Sequence, residues 1–187
     1  MKTLVLLLEE PSARAMLEGL LPRVLPDGVS VHFMVFEGKQ DLERQLGRKI
    51  KDWLRPNSVF LVMRDQDSGD CRVIKENLLK ICRAAGRPEA LVRIACRELE
   101  SWYFGDLGAV EKGLGLSGIV QFSNKAKYRT PDQIVNPATE LHKITKGSYQ
   151  KIGGSRKIGP HLDIESNTSR SFQVFLDGIR RLLADVA

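Results

Sequence analysis

Four short apolar runs divide the first hundred residues into alternating strand-like and helix-like segments. Two runs, at 3–8 and 59–63, are almost continuously apolar, as strands buried on both faces should be. The runs at 29–36 and 91–96 include the polar residues His32 and Arg93, which predicts positions nearer the edges of the sheet. This alternation predicts an α/β fold with a mostly parallel sheet of about four strands and helices on both faces.

Between the strands, apolar residues recur at three- and four-residue intervals, which predicts three amphipathic helices. Their stripes are Met16, Leu17, Leu20, Leu21 and Val24; Leu42, Leu46, Ile50, Trp53 and Leu54; and Ile74, Leu78, Ile81, Cys82 and Ala85. Pro22 is expected to end or kink the first helix. Ser68 or Asp70 is expected to cap the third.

The pattern becomes irregular after a predicted helix at 98–106. Repeated glycines predict a loop over 117–130, a helix is expected at 132–144, and two glycine-rich pairs predict a mobile or substrate-facing connection over 148–163. A last amphipathic stripe predicts a C-terminal helix; it consists of Phe172, Phe175, Leu176, Ile179, Leu182, Leu183 and Val186. We therefore expect one domain, 1–187, with a core at 1–106, an irregular basic extension at 107–168 and a final helix at 169–187.

The composition suits an ordinary folded domain, with 187 residues of which 42% are apolar and 28% charged. No apolar run approaches the roughly 20 residues that span a bilayer, and the N-terminus lacks the pattern of a secretory signal. We therefore expect a cytoplasmic protein. Its three cysteines, Cys71, Cys82 and Cys96, have no C-x-x-C spacing, which predicts reduced thiols in the core.

The net charge of +6 is concentrated in the segment 121–161, where eight basic residues face two acids, 8 − 2 = +6. This segment also contains Tyr128 and Tyr149, and it predicts either nucleic-acid binding, with base stacking on tyrosine, or a solvated surface. The candidate contacts to nucleic acid or phosphate, including some outside this segment, are Lys39, Arg97, Lys125, Lys127, Arg129, Lys151, Arg156, Lys157 and His161.

Acidic residues follow the two most apolar strands. Glu9 comes after the first, and Asp65 and Asp67 come after the other, so all three are expected at the carboxyl edge of the sheet, where α/β proteins bind ligands. Residues i and i+2 of an extended segment point the same way, so Asp65 and Asp67 could share one cation. Carboxylates are ligands that Mg²⁺ prefers. Acids at these positions also cap helices, which is the structural alternative.

Glu98, after the fourth strand, could serve as a second metal ligand or general base, with Arg97 as a phosphate contact; a helix cap is again the alternative. Further acids near the same edge are Glu10, Asp70 and Glu100.

At the residues Glu9 and Asp65-x-Asp67 the chain resembles Toprim domains, which are shared by topoisomerases, bacterial primases and the overcoming-lysogenisation-defect nucleases. The stretches 7–12 and 93–102 resemble an uncharacterised Toprim-like family of bacterial and archaeal proteins, often encoded beside ATPases. The resemblance implies Glu9, Asp65 and Asp67 as ligands of Mg²⁺ or Mn²⁺. The family's usual glycine after the glutamate is Glu10 here, and alignment of the strand end favours Glu9 over Glu10 as the ligand.

The resemblance also implies a metal-dependent nuclease that cleaves phosphodiesters, with Glu98 assisting, beside a partner ATPase in phage defence or DNA repair. The competing hypothesis is a non-catalytic module whose acidic edge and basic segment dock a partner ATPase. A small-molecule phosphotransferase or a response-regulator-like receiver fits less well, because it needs an isolated phosphoacceptor aspartate after the third strand.

Overall fold

Four parallel strands form the sheet in the computed structural model, which describes residues 2–184. The strands are β1 Lys2–Leu8, β2 Val29–Val35, β3 Ser58–Asp65 and β4 Leu91–Ala95, in the spatial order β2-β1-β3-β4. The predicted α/β class is confirmed. The two continuously apolar strands, β1 and β3, are central, and the mixed strands β2 and β4 lie at the edges, as their sequences predict.

The strand order reverses between β1 and β3, because the chain leaves β1 toward β2 and later returns to pair β3 on its other side. Leu8, the last residue of β1, lies opposite Val35 of β2 and Met63 of β3. Loops that leave adjacent strands in opposite directions open a crevice at the carboxyl ends of those strands. The acids that follow β1 and β3 therefore lie where an α/β sheet usually binds its ligand.

Eight α-helices surround the sheet within residues 2–184. They are α1 Pro11–Leu20, α2 Lys39–Lys51, α3 Cys71–Ala84, α4 Glu100–Phe104, α5 Leu107–Leu114, α6 Pro137–Ile144, α7 Lys151–Ile158 and α8 Arg170–Leu182. The three helices predicted between the strands are present. Helix α1 gives way to a 3₁₀ turn that contains Pro22, and the Asp70 carboxylate caps α3 by accepting the N–H groups of Arg72 and Val73.

The sheet separates two apolar layers, since successive side chains of a strand point to opposite faces. Leu4, Leu6 and Leu8 pack with α1 and the helices of the C-terminal half. Val5 and Leu7 pack with α2 and α3. Glu9, Glu10 and Asp65 continue this alternation at the strand ends. The alternation therefore decides which layer each of these three carboxylates faces.

Of the two alternatives predicted for 148–163, a mobile or a substrate-facing connection, the mobile one is wrong, because the segment contains α7 and a 3₁₀ turn, Gly159–His161, that packs on α1. Two of its glycines allow close approach instead of marking a loop. A Cβ on Gly154 would lie 2.5 Å from the ring of Tyr149, and a Cβ on Gly159 would meet the backbone of Met16. Glycine is a signal for loops and also for tight contacts, and the local sequence does not distinguish them.

The other irregular stretches contain more short structure than predicted. Two 3₁₀ turns, Val120–Asn124 and Ala126–Tyr128, lie within the predicted loop, and the helix expected at 132–144 is reduced to α6 after a 3₁₀ turn. The helix expected at 98–106 is also shorter, as α4. Helix α8 is confirmed and begins at its cap Ser169; Val186, predicted to belong to it, lies outside the described residues. No described helix is long and apolar enough to cross a membrane.

Candidate functional site

Glu9 links the carboxyl ends of the two central strands. Its carboxylate accepts the backbone N–H of Asp65 at 2.9 Å and lies 3.8 Å from Nε of Arg64. The Arg64 guanidinium is itself buried and pairs with Glu43 of α2 at 2.6 Å. Burial raises the pKa of Glu9, while the Asp65 N–H and Arg64 oppose that rise. Glu9 therefore belongs to the layer of the sheet that contains α2 and α3.

Glu10 faces the opposite layer. Its carboxylate accepts the hydroxyl of Ser12 at 2.6 Å and forms an ion pair of 2.8 Å with Nζ of Lys151, the first residue of α7. Glu10 continues the alternation of Leu4, Leu6 and Leu8, whereas Glu9 continues that of Val5 and Leu7 on the other side. The Lys151 contact connects a helix of the C-terminal half to the end of β1.

Asp65 lies on the Glu10 side as well, since it continues the alternation of Leu61 and Met63. Its side chain is 8% exposed, and no residue from 2 to 184 donates a hydrogen bond to its carboxylate. Burial raises the pKa of Asp65 well above its ordinary value, and the charges of Glu10, Glu100 and Glu9 add to that rise in this order. Lys151 is the cation that opposes them. The charge of Glu10 therefore acts more strongly on Asp65 than the charge of Glu9 does, although the sequence favoured Glu9.

Glu100 is the most deeply buried acid at this edge. Its side chain has no exposed surface, one oxygen accepts the hydroxyl of Tyr149 at 2.7 Å, and the other oxygen has no hydrogen-bond partner in the described part of the chain. Burial raises the pKa of Glu100, and the Tyr149 hydroxyl and Lys151 oppose that rise. Tyr149 lies just before α7, and its location in the basic segment singled it out in the sequence.

Asp67 does not share a direction with Asp65, which corrects the predicted i, i+2 pairing. The backbone of Asp67 has a left-handed φ of 55°, and its N–H donates to the carbonyl of Arg97 at 2.7 Å. Its carboxylate pairs instead with Nζ of Lys39, at the start of α2, at 2.8 Å. Alternation holds only while a chain stays extended, and the chain turns immediately after β3. The Asp67 carboxylate raises the pKa of Lys39.

Glu98 and Arg97 lie beside Asp67 at the edge of a cleft of about 310 Å³. The wall of this cleft consists of Asp67, Ser68, Arg97, Glu98, Val135, Asn136 and Pro137. One Glu98 oxygen accepts the N–H of Ala138 at 2.7 Å, so Glu98 caps the start of α6 instead of its own following helix. Glu98 therefore acts as a helix cap, and it also borders an open cleft.

The acids at this edge have the right chemistry for a hard cation, because Mg²⁺ prefers carboxylate oxygens and Glu100 has an oxygen without a partner. Within residues 2–184 no group of three or more His, Cys, Asp or Glu side chains is arranged to hold a metal ion. Lysines instead lie against Glu10 and Asp67. The metal roles of Glu9, Asp65 and Asp67 stay a prediction.

The predicted basic contacts are dispersed. Lys127 pairs with Glu140 at 2.6 Å, Lys125 lies over the ring of Phe122, and Arg129 donates to a backbone carbonyl. Exposed residues on or just after α7 are Arg156, Lys157 and His161. Of the predicted phosphate contacts, Lys39, Arg97 and Lys151 are the three that the fold brings to the acidic edge.

The prediction that tyrosines of the basic segment stack on bases is wrong. Tyr128 and Tyr149 are both buried. The ring of Tyr128 stacks on Phe104 with a centroid distance of 4.9 Å, and its hydroxyl donates to Glu140. Tyr149 lies against Tyr103. Both rings belong to the core, where neither can contact a base.

The part of the chain that contains these acids matches the model of a known family. The model of DUF4276, a domain of unknown function, matches residues 8–180. The chain belongs to the DUF4276 family. The match begins at the last residue of β1 and ends within α8, so the DUF4276 domain includes every acid of the carboxyl edge and the helix that supplies Lys151. Neither the curated proteins nor the solved structures include a significant match to the chain.

Proposed function

We propose that this DUF4276 protein is a Mg²⁺- or Mn²⁺-dependent nuclease that cleaves phosphodiesters at the carboxyl edge of β1 and β3. The observation that carries the proposal is Asp65, a buried carboxylate surrounded by Glu10, Glu100 and Glu9. Uncompensated negative charge is costly inside a protein, so such a cluster is expected to be protonated or to bind a cation. The Toprim resemblance at Glu9 and Asp65-x-Asp67 points to the second outcome.

The residues that would hold the cation are Asp65 with Glu10 on one side of the sheet edge, and Glu9 with Asp67 on the other. A divalent cation there supplies Lewis acidity and lowers the pKa of bound water. Lys151 and Lys39 neutralise two of these acids in the present arrangement. Both lysine side chains are about half exposed, so each can swing into solvent without unfolding its helix.

The cleft beside Asp67 suits the substrate. Arg97 provides a cation on its wall that can pair with a phosphate, and the Glu98 carboxylate on the same wall can accept a proton from an attacking water. Arg156 and Lys157 are exposed on α7, the helix that begins at the acidic edge with Lys151. They offer contacts for the more distant phosphates of a bound strand.

The setting that we propose is the cytoplasm, because all three cysteines are free thiols, which reducing compartments maintain. A partner ATPase in defence or repair is part of the same proposal and rests on the family resemblance alone.

The test is cleavage of plasmid and single-stranded DNA by the purified chain with Mg²⁺, Mn²⁺ or EDTA. Asp65→Asn keeps the size of the side chain, removes its charge, and should lower the rate at least about 100-fold. Glu76→Gln is the matched control, because Glu76 is an exposed acid of α3 whose one ion pair among residues 2–184 is with Arg83. Equal cleavage by wild type and Asp65→Asn would rule out this site.

Metal binding can be measured without turnover. A cation at 100 times its dissociation constant should add about 2.7 kcal/mol to the free energy of unfolding. We expect Mg²⁺ or Mn²⁺ to raise the melting temperature of wild type and of Glu76→Gln, with a much smaller effect on Asp65→Asn. This measurement does not require a partner protein.

The second candidate is a non-catalytic module that docks a partner ATPase. It is favoured by the ion pairs of Lys151 with Glu10 and Lys39 with Asp67, which neutralise acids without a metal. This function predicts that Mg²⁺ leaves the melting temperature unchanged. It also predicts that removing either lysine lowers stability in a way that divalent cations do not restore.

A further inference from the structure

A second cleft, of about 290 Å³, lies along the outer edge of β4 between the starts of α3 and α8. It is lined by Cys71, Arg72, Lys75, Val92, Arg93, Ile94, Cys96, Asp132, Arg170, Ser171 and Val174. Cys96 borders this cleft, and the next residue, Arg97, borders the cleft beside the acidic edge. The two clefts are therefore neighbours across the end of β4, with opposite charge character.

Among the charged residues of the lining, cations outnumber acids, beside apolar side chains such as Val92, Ile94 and Val174. Four of the lining residues are basic, Arg72, Lys75, Arg93 and Arg170, and one is acidic, so the charge is 4 − 1 = +3. Across the described residues, none of the four forms an ion pair with an acid. By contrast, Arg64 pairs with Glu43 and Arg83 with Glu76.

Arg93 is the best-defined of these cations. Its Nε donates to the carbonyl of Val174 and its Nη1 to the carbonyl of Val92, each at 3.0 Å. The guanidinium packs against Gly178 of α8, where a Cβ would lie 2.5 Å from Nη2. Burial and the nearby Arg181 lower the pKa of Arg93. The fold thus fixes a half-buried guanidinium whose Nη2 packs against α8. Asp177 of α8 opposes the fall in the pKa of Arg93 but forms no ion pair with it in the described part of the chain.

The acid in the cleft is already satisfied by other groups. Both oxygens of Asp132 accept hydrogen bonds, one from the hydroxyls of Ser169 and Ser171 and the other from the backbone N–H of Ser171. The first N–H groups of α3 are likewise occupied by Asp70. A ligand in this cleft would therefore be held mainly by the four cationic side chains.

We infer that this cleft binds a phosphate-type oxyanion through Arg72, Lys75, Arg93 and Arg170. Guanidinium groups bind phosphate through paired, charge-assisted hydrogen bonds, and a fixed guanidinium loses little conformational freedom when it does so. The cleft, of about 290 Å³, has room for one or two phosphate groups. The same chemistry occurs in a free phosphorylated molecule and in the backbone of a nucleic acid that also reaches the neighbouring cleft.

The experiment is a titration of the ¹⁵N-labelled chain with pyrophosphate, without divalent cations, and with KCl added to keep the ionic strength constant. We expect chemical-shift changes concentrated in 71–75, 92–96 and 170–174. The double variant Lys75→Ala/Arg170→Ala removes two exposed cations and should weaken binding by at least about tenfold. Arg48→Ala/Lys49→Ala removes one exposed arginine and one exposed lysine from α2, and should bind as wild type does.

A second titration with a short single-stranded oligonucleotide identifies the source of the phosphate. Tighter binding of the oligonucleotide, lost in Lys75→Ala/Arg170→Ala, identifies a nucleic-acid backbone; binding of pyrophosphate alone identifies a small phosphorylated molecule. Shifts that are dispersed over the surface, or affinity that is equal in both double variants, would overturn the inference. Because no divalent cation is present, these results are independent of the proposed nuclease activity.

Discussion

Nζ of Lys151 lies 2.8 Å from the Glu10 carboxylate and joins the start of α7 to the end of β1. The same lysine is the cation that opposes the charges around Asp65 and Glu100. A helix from the C-terminal half thereby completes an acidic edge that the first hundred residues build. The segment predicted to be a mobile connection is a structural part of the candidate site.

Replacing Lys151 with Met should destabilise the fold, because the acids near Glu10 lose their counter-charge. Since the lysine is about half exposed, solvent screening limits the loss in the free energy of unfolding to about 1 kcal/mol. Urea denaturation at pH 7 measures it. Lys157→Met, on the same helix and without an ion pair in the described residues, is the control. Equal stability of the two variants would contradict a role for the Lys151 pair.

Asp65→Asn should make the protein more stable than wild type at neutral pH. Because the folded state raises the pKa of Asp65, the unfolded state binds fewer protons above the ordinary value of 3.8. Wild-type stability therefore falls as pH rises from 3.8 toward the raised pKa, by at most about 1.4 kcal/mol per pH unit for one group. Melting curves between pH 4 and 8, with EDTA, should show a gap between variant and wild type that widens with pH. If the difference between variant and wild type stays constant over this pH range, the raised pKa of Asp65 is contradicted.

Two adjacent glycines of α7 should respond in opposite ways to the same substitution. In Gly154→Ala the new methyl group would lie 2.5 Å from the ring of Tyr149, which should cost about 1–3 kcal/mol. A Cβ on Gly153 meets nothing within 4 Å, so Gly153→Ala should gain up to about 1 kcal/mol from better helix propensity. Denaturant midpoints compare the two. Similar losses in both variants would contradict the packing of α7.

Tyr149→Phe should cost about 1–3 kcal/mol, because the buried Glu100 carboxylate loses its hydrogen bond from the tyrosine. The folded state raises the pKa of Glu100, and removing a group that opposes this rise extends it. The loss should therefore be greater at pH 7 than near pH 4.5, where Glu100 is already partly protonated in both states.

The control for this change is Tyr128→Phe. Its partner Glu140 keeps the ion pair with Lys127, so the expected loss is smaller and varies less with pH. If the two variants lose the same stability at both pH values, the buried Glu100 carboxylate is not the cause.

Several features of the fold could be predicted because they depend on local patterning. The uninterrupted apolar character of β1 and β3 requires burial on both faces, and it correctly indicated central parallel strands. Asp70 could be predicted as the cap of α3, since a cap is set by residues two or three positions apart. The position of the acids at the carboxyl edge follows from the same strand assignment.

Other features depend on contacts between residues that are distant in the chain. Gly154 and Gly159 resemble loop signals in the sequence, but the structure packs Tyr149 against the first and Met16 of α1 against the second. The i, i+2 rule fails at Asp67 because the backbone turns to meet Arg97, 30 positions later. Tyr128 and Tyr149, which suggested base stacking, are buried among aromatic rings of α4.

The sequence by itself determined the parallel α/β sheet and the edge at which its carboxylates gather, because strand periodicity and burial are local properties. Tertiary structure decided how those carboxylates divide: Glu10, Asp65 and Glu100 with Lys151 on one side, Glu9 and Asp67 with Arg64 and Lys39 on the other. That division follows from strand pleating and from the docking of α7 on α1. Both bring charges together through space, and electrostatic energy depends on those distances and on burial, whatever the separation along the chain.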